Sequence, residues 1–249
     1  MPPADASAAS DAAPPEPGPG PTDPGAPMGT EDTLDLKLTE ELLALIAEDR
    51  SKAAGHDFEG GLLGDPATWP GAATEAGVFH LVPVVLERDL AVLSRWMNDP
   101  AVAAFWELAG PESVTADHLR PQLAGDGRSV PCLGVLDGTP MSYWEIYRAD
   151  LDPLARHYPA RLHDTGVHLL IGGVGNRGRG VGTTLLRAVA DLVLDNLPRC
   201  GRVVAEPDLR NTPSVSAFLS AGFRFSAEVD LPGKRAALMI RDRTYRDHL

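Results

Sequence analysis

Nowhere in this 249-residue chain does an apolar run approach the roughly 18 uninterrupted residues that a membrane-spanning helix needs, so no membrane partner is expected. Cysteine is scarce: Cys132 and Cys200 are the only two. Two isolated thiols fit a reducing cytoplasm better than a disulfide framework, and a cytoplasmic location is the expectation. Basic residues are in deficit, with 22 Lys and Arg against 35 Asp and Glu and a net charge of −13. Nonspecific nucleic-acid binding needs a basic face, so nucleic acid is not an expected partner either. The acidity serves solubility and is compatible with a cationic small-molecule substrate. Large apolar side chains are nearly missing from residues 1–30, which are dominated by Ala, Pro, Gly, Asp and Glu. Such a segment cannot bury enough surface to offset its ordering entropy, so it reads as a disordered tail. With neither a basic start nor an apolar run, it does not read as a signal peptide.

What is present begins with a helical spacing, Leu34, Leu38, Leu42, Leu45 and Ile46, over residues 33–50. Residues 51–77 are rich in Gly, Pro and Asp and read as a connector, so 31–77 is a helical extension and linker. Regular patterning starts at Val78. Strands are expected over 78–85, 130–136, 141–147, 166–171 and 202–205, with a closing hairpin of 223–229 and 235–240. Asp137-Gly138 marks a tight hairpin between the second and third of these. Helices are expected over 89–97, 115–122, 180–197 and 213–221, with Asn98-Asp99-Pro100 ending the first and Pro198 the third. The order predicts one α+β (mixed α/β) domain over 78–249.

The most informative stretch is Arg177-Gly178-Arg179-Gly180-Val181-Gly182-Thr183, between a strand and a long helix. Glycines let successive backbone N–H groups point at one anion, and a helix N-terminus adds favourable potential. Arg177 and Arg179 would add charge-assisted contacts to a pyrophosphate. A Walker loop needs a Lys that Gly182-Thr183-Thr184 lacks. A dinucleotide fingerprint has a different spacing and an earlier position. A glycine-rich turn without any ligand remains the plain alternative.

Arg-x-x-Gly-x-Gly, followed by a strand, Asn211, a helix and Gly222-Phe223, resembles the acyl-CoA loop and its flanks in the GCN5-related N-acetyltransferases. Asn211 equally suits an ordinary helix N-cap. Further blocks resemble the siderophore-biosynthesis branch, whose members acylate N-hydroxylysine or related hydroxylated diamines. They are Trp96-Met97-Asn98 before Trp106-Glu107, the run Tyr143-Trp144-Glu145-Ile146-Tyr147, and Asp164-x-Gly166-x-His168-Leu169-Leu170-Ile171-Gly172. Glu206-Pro207-Asp208-x-Arg210-Asn211 and Leu231-Pro232-x-Lys234 follow in order. The resemblance implies a central mixed, mostly antiparallel sheet flanked by helices, with acetyl-CoA or another acyl-CoA as co-substrate and no metal. It implies cofactor contacts from Leu170, Ile171, the 177–183 loop and Asn211, and a small-molecule amine or hydroxylamine as acceptor. An acyl carrier protein stays open as the donor. Aminoglycoside N-acetyltransferases share some blocks but are expected to carry an acid in the strand before the loop, where this chain has His168-Leu169-Leu170-Ile171. A non-catalytic acyl-CoA-binding domain is the third reading, because Phe218 stands where many relatives place a proton-donating Tyr.

His168 is the expected base or proton relay, since an imidazole titrates in the useful range; a packed strand histidine is the competing view. Asp164 begins the same strand and would orient His168 or bind a substrate ammonium, unless it only forms a turn. Tyr143 and Glu145 share one strand face, Trp144 and Ile146 the other, and one pair should line the acceptor cleft. Trp106 is a candidate wall of that cleft, and Lys234 a candidate for a substrate carboxylate.

Overall fold

A computed structural model describes residues 62–246. The expected tail over 1–30 and the helix over 33–50 lie outside the described residues. The described residues form one eight-stranded sheet with five α-helices on its faces. The strands are β1 (Ala72–Thr74), β2 (Gly77–Pro83), β3 (Ser129–Leu136), β4 (Thr139–Arg148), β5 (Thr165–Ile171), β6 (Arg202–Ala205), β7 (Arg224–Leu231) and β8 (Lys234–Asp242). Their spatial order is β1-β2-β3-β4-β5-β6-β8-β7. Only the β5–β6 pair is parallel. The helices are α1 (Leu86–Met97), α2 (Pro100–Trp106), α3 (Glu112–Leu123), α4 (Val181–Asn196) and α5 (Thr212–Ser220).

Two local signals act differently from their reading in the sequence. Asp99-Pro100 ends α1 and also starts α2. Asp99 Oδ1 accepts from Ala101 N at 2.9 Å, and Pro100, which lacks an N–H, occupies the first turn where none is needed. The connector reading of 51–77 misses β1 and the 3-10 turn Pro66–Thr68. Leu63 and Trp69 are buried in the same core as Trp144, so the ordered fold begins before Val78. The Asp137-Gly138 hairpin forms with both residues at positive φ, 46° and 78°, as a type I′ turn requires.

β4 is buried on both faces. Trp144 and Ile146 pack with Leu185, Leu186 and Val189 of α4. Tyr143 points the other way, into a core with Leu93, Trp96 and Met97 of α1 and Leu119 of α3. The alternation of a strand thus sends Tyr143 and Glu145 toward α1–α3, while Tyr147, on the same face, packs with Leu154, Tyr158 and Val204.

The break in the sheet positions the site. β5 and β6 pair only at Thr165↔Val203 and Gly166↔Val204. Beyond that point the two strands diverge, and residues 167–171 have no registered strand partner on the β6 side.

Candidate active site

A cavity of about 250 Å³ opens where β5 and β6 part. Val167, His168 and Leu169 line it from β5, and Ala205 and Glu206 from the end of β6. Asn211 and Phe218 of the α5 region, Trp106 of α2 and Lys234 of β8 complete the walls.

At its centre is a chain of charges. His168 Nδ1 donates to Glu145 Oε2 at 2.9 Å, and Nε2 donates to Glu206 Oε1. Both carboxylates are buried, while the imidazole keeps 35% of its side-chain surface open. Burial works against a charged imidazole, but Glu206 and Glu145 outweigh it and raise His168 to about 10. Glu206 feels the opposite balance. Burial pushes it up, yet His168, Lys234 and the Tyr147 hydroxyl hold it down at about 2. Glu145 is likewise held far below the carboxylate range, against burial, by His118 and His168. At neutral pH this is an imidazolium between two carboxylates.

Tyrosines and an amide extend the array. Tyr147 OH donates to Glu206 Oε2 at 2.8 Å, and Tyr143 OH to Glu145 Oε1 at 2.9 Å. His118 Nε2 lies 2.5 Å from the same Glu145 oxygen, and Gln122 Nε2 donates to it at 2.9 Å. Trp106 covers the group, with its ring 5.6 Å from Tyr143 and 6.2 Å from His168. A second cavity, of about 270 Å³, reaches the same His168 and Glu145 from the side of Arg128 and Arg148.

The glycine loop follows β5. Gly178 and Gly180 have φ of +71° and +80°. A Cβ at either would meet nothing within 4 Å, so backbone conformation rather than crowding selects glycine there. Gly180 is the cap of α4, with no side chain bonding the free amides. The first intrahelical bond runs from Thr184 N to Gly180 O, leaving the Val181, Gly182 and Thr183 N–H groups facing outward at the positive end of a 16-residue helix. Open space, glycine backbone and free amides together fit a pyrophosphate.

Several expected site residues turn out otherwise. Asp164 is not beside His168: it is buried, receives Arg202 Nε at 2.9 Å, Tyr158 OH at 3.0 Å and Arg161 N at 2.8 Å, and serves as a structural ion-pair partner. His168, expected as a base or proton relay, has both ring nitrogens engaged by Glu145 and Glu206. Arg177 does not reach outward. It spans Ile171 O (2.9 Å), Gly172 O (2.7 Å) and Asp99 Oδ1 (2.9 Å), bracing the loop against the start of α2. Arg179 is exposed in the loop. Leu170 packs toward α1 and Ile171 toward α4, so only their main chain borders the gap. Asn211 caps α5, its Oδ1 accepting from Ser214 N at 3.2 Å, while also lining the cavity. Trp106, Tyr143 and Glu145 do come together with His168. Phe218 is buried against Phe223 and offers no proton.

Glu206 and His118 carry parts of the site that the sequence reading left without a role. Glu206 follows directly on β6, and an acid at the end of a strand was the available signal. His118 had none, because its partner Glu145 lies 27 residues away.

Comparisons with known proteins agree with the fold. The acetyltransferase (GNAT) domain family matches residues 85–231. The lysine N-acyltransferase MbtK of Mycolicibacterium paratuberculosis is 38% identical over 154 residues, covering 62% of this chain and 69% of that protein. The N(6)-hydroxylysine O-acetyltransferase of Escherichia coli is also 38% identical, over 62% of this chain and 49% of its own length. Among solved structures, an uncharacterized protein from Bacillus halodurans superposes with a TM-score of 0.69 at 31% identity, covering 74% of this chain and 95% of that one. The aminoglycoside acetyltransferase AAC(6')-Ib, in complex with paromomycin and acetyl-CoA, gives 0.59 at 26% identity over 68% and 96%. The chain belongs to the GNAT acetyltransferase family and is an acyl-transferring enzyme.

Proposed function

We propose that this enzyme moves an acyl group, acetyl in the simplest case, from acyl-CoA to the N-hydroxylated side-chain amine of lysine or a related diamine, forming the hydroxamate of a siderophore. The observation that carries this reading is the geometry of the cleft, in which both ring nitrogens of His168 are engaged by the carboxylates of Glu145 and Glu206. His168 already holds its proton, and Glu145 and Glu206 are very weak bases. An alkyl ammonium near pKa 10.4 would need a competent base before attacking a thioester. A hydroxylated amine is far less basic, is neutral at pH 7 and needs no such help. The E. coli relative named for N(6)-hydroxylysine supports a hydroxylated lysine as acceptor, and the relative named a lysine N-acyltransferase supports transfer to nitrogen.

Bound acyl-CoA supplies an activated carbonyl and a thiolate leaving group. The amides of Val181, Gly182 and Thr183 hold its phosphates, with Arg179 adding charge. The unpaired edge of residues 167–171 offers N–H groups to the carbonyl. Glu206 and Glu145 accept hydrogen bonds from the acceptor's N–H or N–OH, and His168 keeps both carboxylates ionised and in place. With Phe218 in the wall no tyrosine acid is at hand: as the C–N bond forms and the C–S bond breaks, the proton of the attacking nitrogen passes to the departing thiolate, and CoA leaves as the free thiol.

Free-thiol release with acetyl-CoA tests this against N6-hydroxylysine, N-hydroxycadaverine, lysine, cadaverine and kanamycin. Turnover confined to the hydroxylated amines is expected. Turnover of kanamycin alone would assign the enzyme to antibiotic modification instead, and silence with every acceptor would overturn acetyl transfer from free CoA.

A further inference from the structure

Resting on that reading, we propose that Lys234 anchors the acceptor's α-carboxylate, so that the enzyme takes an N-hydroxylated amino acid in preference to the decarboxylated diamine. Lys234 opens β8 directly after Gly233, which turns the β7–β8 hairpin at φ +81°. Its side chain lines the same cavity as His168, Glu206 and Trp106. The ammonium donates to the main-chain oxygen of Glu206 at 2.8 Å and stands 3.5 Å from Glu206 Oε1. Glu206 has other partners, since His168 and Tyr147 each donate to one of its oxygens, and Lys234 adds a longer ion pair to Oε1.

The neighbouring cations are more firmly engaged. Arg210 grips Asp208 through Nε and Nη2, Arg148 grips Asp150, and Arg128 grips Asp126. An ammonium has three donors, and that of Lys234 makes one short hydrogen bond to the protein, to a main-chain oxygen, on a side chain 32% exposed. A flexible stem lets it meet an incoming carboxylate as a point charge. A cleft holding only Glu145, Glu206 and Asp208 would favour a polycation. Lys234 beside them makes one end of the cleft receptive to an anion, which suits an acceptor carrying both signs of charge.

A substrate carboxylate could also arrive on the donor, as a succinyl group, and a purely structural Lys234 would serve only to steady Glu206. Steady-state kinetics of wild type, Lys234→Met and Lys234→Arg separate these. With acetyl-CoA, wild type is expected to prefer N6-hydroxylysine to N-hydroxycadaverine by at least about tenfold in kcat/KM, the usual effect of one charge-assisted contact. Lys234→Met should collapse that ratio toward unity, mainly through KM, and Lys234→Arg should restore part of it. A ratio that survives in Lys234→Met, equal losses for both acceptors, or a loss that follows succinyl-CoA against acetyl-CoA would each overturn the proposal. If no hydroxylated amine is acylated, the proposed function itself fails. The anchor is then judged by calorimetric binding of L-lysine and cadaverine: a gap of about tenfold that vanishes in Lys234→Met supports it, and equal binding overturns it.

Discussion

Tyr147 and His168 stack at a tilt, with ring centroids 4.7 Å apart, and both end on the carboxylate of Glu206. The stack fixes the imidazole plane, and the shared carboxylate fixes its charge. Tyr147 is held protonated by burial and by Glu206, so it stays a hydrogen-bond donor throughout the working range. The site is therefore preorganised as a set of fixed donors and acceptors rather than as a base waiting to be used.

Replacing His168 by Gln should be severe. Glu145 and Glu206 would lose the cation between them, and an uncompensated buried charge costs on the order of 3 kcal/mol. Urea denaturation should show that loss, and kcat/KM for the hydroxylated acceptor should fall by about a hundredfold or more, an effect of the size seen when one preorganised group is removed.

The stabilisation from His168 depends on pH in a defined direction. Its folded value, about 10, lies above the ordinary 6.5. Its contribution is thus complete below pH 6.5 and is lost progressively as pH rises through 10. Glu206, lowered from 4.5 to about 2, contributes fully above pH 4.5 and loses its contribution as pH falls through 2. The stability gap between wild type and His168→Gln should be widest between pH 4.5 and 6.5 and close toward pH 10, as read from denaturation midpoints across that range.

Glu206→Gln keeps the shape of the side chain but removes its charge. The His168 ring should then titrate well below 10, and histidine side-chain NMR of wild type and variant would show it. A resonance that titrates identically in both would mean that Glu145 alone sets the charge of the imidazole.

Arg177 and Arg179 should separate cleanly despite their adjacency in the loop. Arg177→Ala removes three bonds that tie the loop to Ile171, Gly172 and Asp99. It should lower the melting temperature and raise KM for acyl-CoA by about tenfold, the scale of one to three charged hydrogen bonds. Arg179→Ala should leave the melting temperature alone and raise KM only a few-fold, with a weaker dependence on salt, as expected of an exposed charge.

Gly172→Ala tests how closely β5 meets α1. A Cβ at that position would come within 2.3 Å of the Trp96 ring, and Trp96 is buried. Overpacking of this kind costs about 1–3 kcal/mol. Thermal unfolding should show the loss with far-UV circular dichroism unchanged.

Elements with a strong local period were legible in the sequence. The 202–205 strand and the long helix after the glycine loop lie within a residue of their expected limits, because burial period and glycine–proline punctuation are local properties. Helix α1 starts at Leu86, earlier than expected, because Asp89 reaches back to accept from Val85 N at 2.8 Å. Helix α2 was hidden because Asp-Pro reads as a stop and serves equally as a start. β1 was hidden because three residues carry no period.

The sequence by itself determined the order of strands and helices from β2 onward apart from α2, the glycine-rich turn into α4, and that Tyr143 and Glu145 share one face of β4. It placed His168 beside the cofactor loop, because a strand leads straight into that loop. Only the tertiary structure decided what His168 is. Its charge is set by Glu145, across the β4–β5 pairing, and by Glu206, 38 residues along the chain, brought alongside where β5 and β6 part. Asp164, four residues from His168 in sequence, is instead captured by Arg202. Protonation follows from burial and through-space neighbours, and neither is encoded in spacing along the chain.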